Sequence, residues 1–165
     1  MTTFSVAQPT ESARLLREVP YDHPDARRLA QALYREQIDT YGFADDPTDT
    51  PTTHFDPPDG LFLIAHREGV AVGCGGIRFL DANTGEIKRM YVAPTARGHG
   101  LGRHILQSLE DQAAARGATQ IVLETGVSNH GALALYQNSG YTPRPSYVPG
   151  RDPLVNRALT KQLGD

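Results

Sequence analysis

Residues Glu86 to Gly117 constrain this chain more tightly than any other stretch. A run with strand character, Glu86-Ile87-Lys88-Arg89-Met90-Tyr91-Val92, ends at Ala93-Pro94 and is followed by Arg97-Gly98-His99-Gly100-Leu101-Gly102. Leu101, Ile105, Leu109 and Ala113 then recur at helical spacing, Leu106 widens the stripe, and Gly117 is placed to end the helix. Three glycines at alternate positions strip Cβ atoms from the loop, so its backbone N–H groups can approach a ligand closely. Those N–H groups open a helix, where the first donors lack intrahelical partners and the macrodipole favours an anion. The expected chemistry is a phosphate cradle.

Two common cradles do not fit. The Walker pattern requires Gly-Lys-Ser/Thr, and no Lys follows these glycines. The dinucleotide fingerprint needs a glycine where Arg103 stands. The plain alternative is a glycine turn capping an ordinary helix, and the strand before it and helix after it count against that.

At 165 residues the chain supports one domain, 1–165, with residues 1–11 polar and loose. A net charge of −3 argues against a nucleic-acid footprint, which is basic and clustered. Cys74 is the only cysteine, which excludes an intramolecular disulfide framework and a CxxC metal site. No apolar run approaches the ~20 residues of a membrane span, and no basic-then-apolar leader pattern opens the chain. The expectation is a cytoplasmic protein without membrane partners.

In chain order, Ala13 to Val19 reads as a first strand. Asp22 is the expected N-cap of a helix carrying Pro24, Ala26, Leu29, Ala30 and Leu33 and ending near Gly42. Ala44 to Gly60 reads as an ordered loop or short irregular helix. It holds Asp45, Asp46, Asp49, Asp56 and Asp59 without Lys or Arg: a solvated acidic loop, or a negative rim for a cationic substrate. Leu61–His66 and Val70–Leu80 read as a hairpin, with Gly73, Gly75 and Gly76 marking a bulge or a close backbone approach. Asp81–Gly85 turns into the Glu86–Val92 strand. After the glycine-loop helix, Thr119–Glu124 reads as a buried strand, giving a βαβ crossover. Ser128 or Asn129 caps another helix, stopped at Gly140. Tyr141 begins a strand, Tyr147 and Pro149 lie in a loop, and Leu154–Leu163 forms the last strand.

The spacing Arg97-x-x-Gly100-x-Gly102 after a strand resembles the acetyl-CoA signature of the GNAT superfamily of N-acetyltransferases. A second segment, Asn129-x-x-Ala132-x-x-Leu135-Tyr136-x-x-x-Gly140-Tyr141, resembles the family's helix after the fifth strand. One departure is Asn138, where many relatives have Lys. The resemblance covers roughly residues 61–145. It implies an α/β fold: a central mixed sheet of about 6–7 strands, flanked by about four helices, with strands four and five splayed to admit CoA.

It also implies roles. Acetyl-CoA would be the donor, its diphosphate held by the backbone of Arg97, Gly98, His99, Gly100, Leu101 and Gly102 with the charges of Arg97 and Arg103. Its arm would pair with Met90, Tyr91 and Val92, with Asn129 as a hydrogen-bonding partner and an N–H near Val92 polarising the thioester. An alkylamine of pKa ~10.4 is neutral in about one molecule in 2,500 at pH 7, a penalty of about 4.6 kcal/mol, so a base is required. Glu86 and Glu124 are the candidates, with water as a third possibility. Strict alternation would put Glu86 on the face of Lys88 and Met90, unless a bulge changes the parity. Tyr136 matches the family's proton donor to the departing thiolate.

Cys74, in a glycine-bearing strand without a His-Asp pattern, reads as core. The six histidines show no metal-ligand spacing, so no metal is expected. The acceptor is expected to be a small-molecule amine, the acidic loop favouring a cationic one. The other readings are a peptide or protein N-terminal or lysine acetyltransferase, and a non-catalytic acyl-CoA-binding sensor. A homodimer is compatible with either.

Overall fold

The computed structural model describes residues 16–164. Its strands are β1 (Leu16–Val19), β2 (Gly60–Arg67), β3 (Val70–Phe79), β4 (Thr84–Val92), β5 (Gln120–Gly126), β6 (Thr142–Arg144) and β7 (Asn156–Gln162). Three α-helices accompany them: α1 (Pro24–Tyr41), α2 (Leu101–Ala115) and α3 (His130–Asn138). All seven strands form one sheet in the order β1-β2-β3-β4-β5-β7-β6, with β4 and β5 parallel and every other pair antiparallel. This is the expected mixed α/β architecture. No helix of the described residues is long and apolar enough to cross a membrane.

Two local expectations need correction, and a third falls partly outside the described residues. The described residues hold three α-helices rather than about four; residues 44–59 form the ordered irregular segment expected of them, with two short 3-10 turns, Pro47–Asp49 and Thr52–Phe55. Pro47, Pro51, Pro57 and Pro58 remove donors and hold the preceding residues extended, so no continuous helix can run through them. The N-cap of α1 is His23 rather than Asp22. Pro24 takes the first helical position, and Nδ1 of His23 accepts from the Asp25 amide at 3.1 Å. The first strand is described only from Leu16; the loose segment expected at 1–11 and residues 13–15 lie outside the described residues.

The sheet is covered on both faces. Ile105, Leu106 and Leu109 of α2 pack on Leu61, Leu63, Ile77, Ile87 and Ile121. On the opposite face Ala26, Leu29 and Ala30 of α1 meet Phe55, Phe62, Ile64 and Cys74. Each fully buried Leu, Ile or Phe contributes ~1.5–3 kcal/mol. This burial, more than helix propensity, holds the helices on the sheet.

The feature that makes a site is a split. β4 and β5 pair only where Thr84–Glu86 face Gln120–Val122. Beyond that point β4 stays with β3 and β5 with β7, so a wedge opens between them. On the β3 side, Gly76 faces Lys88 and Cys74 faces Tyr91, so Gly75 alone stands against Arg89 and Met90, one residue against two. The extra residue is Arg89, at φ 60: a β-bulge. Lys88, opposite Gly76, shares its side of the sheet, where a Cβ on Gly76 would meet Phe55 and Phe62. Glu86 lies on that α1 side too. Met90 is turned to the α2 side, its Sδ 2.5 Å from where a Cβ on Gly75 would stand. The bulge therefore separates Glu86 and Lys88 from Met90.

α2 and α3 end alike. Ala118 N–H bonds Ala113 O (3.0 Å) and Gly117 N–H bonds Ala114 O (3.0 Å). Tyr141 N–H bonds Tyr136 O (3.0 Å) and Gly140 N–H bonds Gln137 O (3.2 Å). Both are Schellman motifs, and in the second the accompanying side-chain contact joins Tyr136 to Tyr141, edge to face at 5.6 Å.

Candidate active site

Two cavities occupy the wedge and share Leu33, Gln37, Tyr41, Met90, Asn129, Ala132 and Tyr136 as lining. The larger, about 630 Å³, runs along Met90, Tyr91 and Val92 to Arg97, Gly98, Gly100, Leu101, Gly102 and Arg103. His99 is exposed and does not line it.

Gly98 and Gly100 take φ 83 and 78, a region that strains any residue with a Cβ. They aim the loop's amides outward. The first amide of α2 to meet a backbone acceptor is that of His104, on Gly100 O at 3.0 Å. Those of residues 98–103 donate to no acceptor among the described residues. A row of free amides at a helix N-terminus fits a diphosphate.

Arg97 is engaged otherwise. Its Nη2 donates to both oxygens of Glu36 on α1 (2.9 Å each), its Nε donates to Val92 O (2.8 Å), and the guanidinium lies over the Tyr91 ring. Its charge is thus shared with Glu36 before any ligand arrives. Arg103, at the groove wall, is exposed. Asn129 caps α3, its Oδ1 accepting from the Ala132 amide at 3.2 Å, which leaves its NH₂ group for the groove.

The smaller cavity, about 170 Å³, is lined by polar groups. Glu86, 6% exposed, accepts the Tyr147 hydroxyl at 2.6 Å through Oε2 and holds Lys88 Nζ 4.0 Å from Oε1. Glu124 accepts Ser146 Oγ–H at 2.6 Å and stands 3.4 Å from Arg151 Nε. Arg151 Nη2 in turn donates to Asp45 at 2.8 Å. Burial, then the bond to Glu86, raises the Tyr147 phenol above its usual range, so it stays a donor. Burial lowers Lys88, with Glu86 partly opposing. The Arg151 hydrogen bond holds Asp45 below the ordinary carboxylate value.

Tyr136, 5% exposed, lies where the two cavities meet. Burial raises its phenol, and its hydroxyl makes no hydrogen bond with a described residue. It is backed by a buried chain: Tyr141 donates to Glu110 at 2.9 Å, and Glu110 accepts from Lys161 at 2.8 Å.

Glu86, Glu124, Tyr136, Asn129 and the glycine loop thus converge on one wedge. Tyr147, Arg151 and the orientation of Lys88 were not recognised as site features from the sequence. The available signal was the polar loop before β7, where Tyr147 and Arg151 sit between strands. Of the five acidic-loop residues only Asp45 lines a cavity, and it is paired with Arg151. Asp46 caps its own turn and Asp56 accepts from the Tyr21 amide.

A mixed sheet parted between two parallel strands, with a glycine-opened helix at the mouth of the gap, marks the chain as an acyltransferase. The chain belongs to the acetyltransferase (GNAT) family, whose sequence profile matches residues 26–141. It is 46% identical over 99 residues to an IAA acetyltransferase of Azospirillum brasilense, a match spanning 59% of this chain and 65% of that protein, just under two thirds. It is 32% identical over 144 residues to an uncharacterized N-acetyltransferase of Schizosaccharomyces pombe, 84% of this chain and 86% of the other. A GNAT family acetyltransferase from Elizabethkingia anophelis, solved with acetyl-CoA bound, superposes with a TM-score of 0.64 over 90% of this chain and 97% of that one; at 21% identity this is a likeness of fold.

Proposed function

We propose that this N-acetyltransferase moves an acetyl group from acetyl-CoA to the primary amine of a small molecule, by direct attack in a ternary complex. One observation carries the reading: an amide-lined groove and a cavity holding Glu86 meet at Tyr136. The loop amides of 98–103 and Arg103 hold the diphosphate, and the β4 edge exposed by the wedge takes the arm. An acceptor in the smaller cavity gives one ammonium proton to Glu86. Its nitrogen then bonds the acyl carbon as the carbon–sulfur bond breaks, and the second proton goes to the sulfur.

Tyr136 serves that last step as a hydrogen-bond donor. Outright transfer from a phenol at ~10 to a thiolate at ~8.5 is uphill by about 2 kcal/mol, and burial of Tyr136 makes it more so. The second proton therefore comes from the reacting amine, with the phenol stabilising the departing sulfur. The modest, walled cavity favours a small molecule over a protein chain, and the 46% relative's name points the same way.

Thiol release from acetyl-CoA across a panel of amines tests the reading. Release with at least one small amine is expected, and Tyr136→Phe lowers kcat about tenfold or more with unchanged acetyl-CoA affinity. Tight acetyl-CoA binding with no release on any amine would instead favour a sensor.

A further inference from the structure

The smaller cavity is lined by three carboxylates, Asp45, Glu86 and Glu124, and three cations, Lys88, Arg89 and Arg151. Its formal charge is balanced. A site shaped for a polycation would carry a negative excess.

Arg151 is spent on Asp45 and Glu124, but the other two cations lack a close carboxylate partner. Arg89 forms no ion pair among the described residues; it donates to two neutral oxygens, Tyr21 Oη at 3.3 Å and Thr50 Oγ1 at 2.9 Å. Lys88 reaches Glu86 only at 4.0 Å. The Tyr41 hydroxyl, on the wall of this cavity, is buried without a hydrogen-bond partner among the described residues, whereas Glu124 Oε2 and Arg151 Nε face each other at 3.4 Å as an ion pair. Buried polar atoms are normally satisfied, so an unpartnered hydroxyl on the wall, beside cations short of carboxylate partners, points to a polar ligand. The bulge adds direction. By breaking alternation at Arg89, it lets two consecutive cations, Lys88 and Arg89, border the cavity that holds Glu86.

We infer that the acceptor is a zwitterion: a small α-amino acid, or an amine with a carboxylate a few bonds away. Its amino group meets Glu86, and its carboxylate is taken by Arg89 and Lys88. The inference rests on the smaller cavity being the acceptor site, as proposed above. It replaces the cationic acceptor suggested by the acidic loop, whose one cavity-lining member is spent on Arg151.

The test compares acetyl-CoA thiol release by the full chain on α-amino acids, each beside its α-amide and its decarboxylated amine. At least one amino acid is expected to exceed both matched compounds in kcat/KM by about tenfold or more, the loss typical of a hydrogen bond to a charged group. In Arg89→Gln that ratio falls toward unity through a higher KM for the amino acid, and Arg89→Lys restores part of it. If Arg89→Gln does not fold, Lys88→Met reads the same ratio. A preference for decarboxylated amines overturns the inference and leaves the transferase reading standing, whereas transfer to no amine overturns both. A loss in Arg89→Gln equal for amino acid and amine makes Arg89 a structural tie and overturns its assignment.

Discussion

Tyr147 donates its hydroxyl to Oε2 of Glu86 at 2.6 Å, across 61 residues of sequence. The contact joins the loop before β7 to the last residue of β4 that pairs with β5, where the wedge begins to open. Burial and the contact with Glu86 both raise the phenol, so Tyr147 stays a donor and orients the carboxylate. Tyr147→Phe keeps the ring and removes the donor. It should lower acceptor kcat/KM about tenfold, within the range for a hydrogen bond to a charged group, with acetyl-CoA affinity unmoved by calorimetry. An unchanged kcat/KM would reduce Tyr147 to a cover over the cavity.

The two carboxylates should separate in kinetics. Glu86 reaches the cavity beside Lys88 with one bond from Tyr147, whereas Glu124 is tied to Ser146 and faces Arg151. Loss of a general base costs about 10²–10⁴ in rate. Glu86→Gln should fall in that range and Glu124→Gln well short of it, measured as kcat at saturating acetyl-CoA. The reverse order would transfer the base to Glu124.

Two glycines of the loop are required for different reasons. At Gly100 the backbone lies at φ 78, where a Cβ costs roughly 1–2 kcal/mol and a branched one more. At Gly102 a Cβ would meet only Leu135 Cδ2 at 3.5 Å and Val92 Cγ2 at 3.7 Å, ordinary contacts. Gly100→Val should therefore lower both the melting temperature and acetyl-CoA binding. Gly102→Val should leave melting nearly unchanged while weakening acetyl-CoA binding at least about tenfold, because the added methyls enter the groove. Equal binding by Gly102→Val and the parent protein would place the diphosphate elsewhere.

Much of this arrangement was legible because it is local. The loop, the stripe of α2, the Asn129 cap and the stops at Gly117 and Gly140 depend on residues a few positions apart, which sequence spacing reports directly. The open amides at 98–103 follow from the same local pattern. What escaped depends on sheet order and register. β7 enters between β5 and β6, which carries Tyr147 and Arg151 to the mouth of the wedge. The partner of Arg97 is Glu36, on a helix that lies next to it only after folding. The side taken by Lys88 was recoverable by alternation, but the bulge that reverses Met90 depends on the β3–β4 register, which no single strand reveals.

The ion pair between Asp45 and Arg151 fastens the Tyr147 loop to the segment after α1, and it predicts an acid-side change. Because Arg151 depresses the Asp45 carboxyl, the unfolded chain binds a proton at higher pH than the folded one. The contribution is complete above the ordinary aspartate value of ~3.9 and is lost as pH falls through the depressed folded value. Asp45 is 53% exposed, so the stabilisation belongs to the surface range of about 0–1 kcal/mol. Asp45→Asn should thus melt slightly below the parent at pH 7, by a difference that narrows as pH falls below ~3.9. If the pair positions the loop, the same variant raises acceptor KM at pH 7 while acetyl-CoA binding holds. A melting difference that stays undiminished as pH falls below ~3.9 would trace the effect to something other than this charge pair.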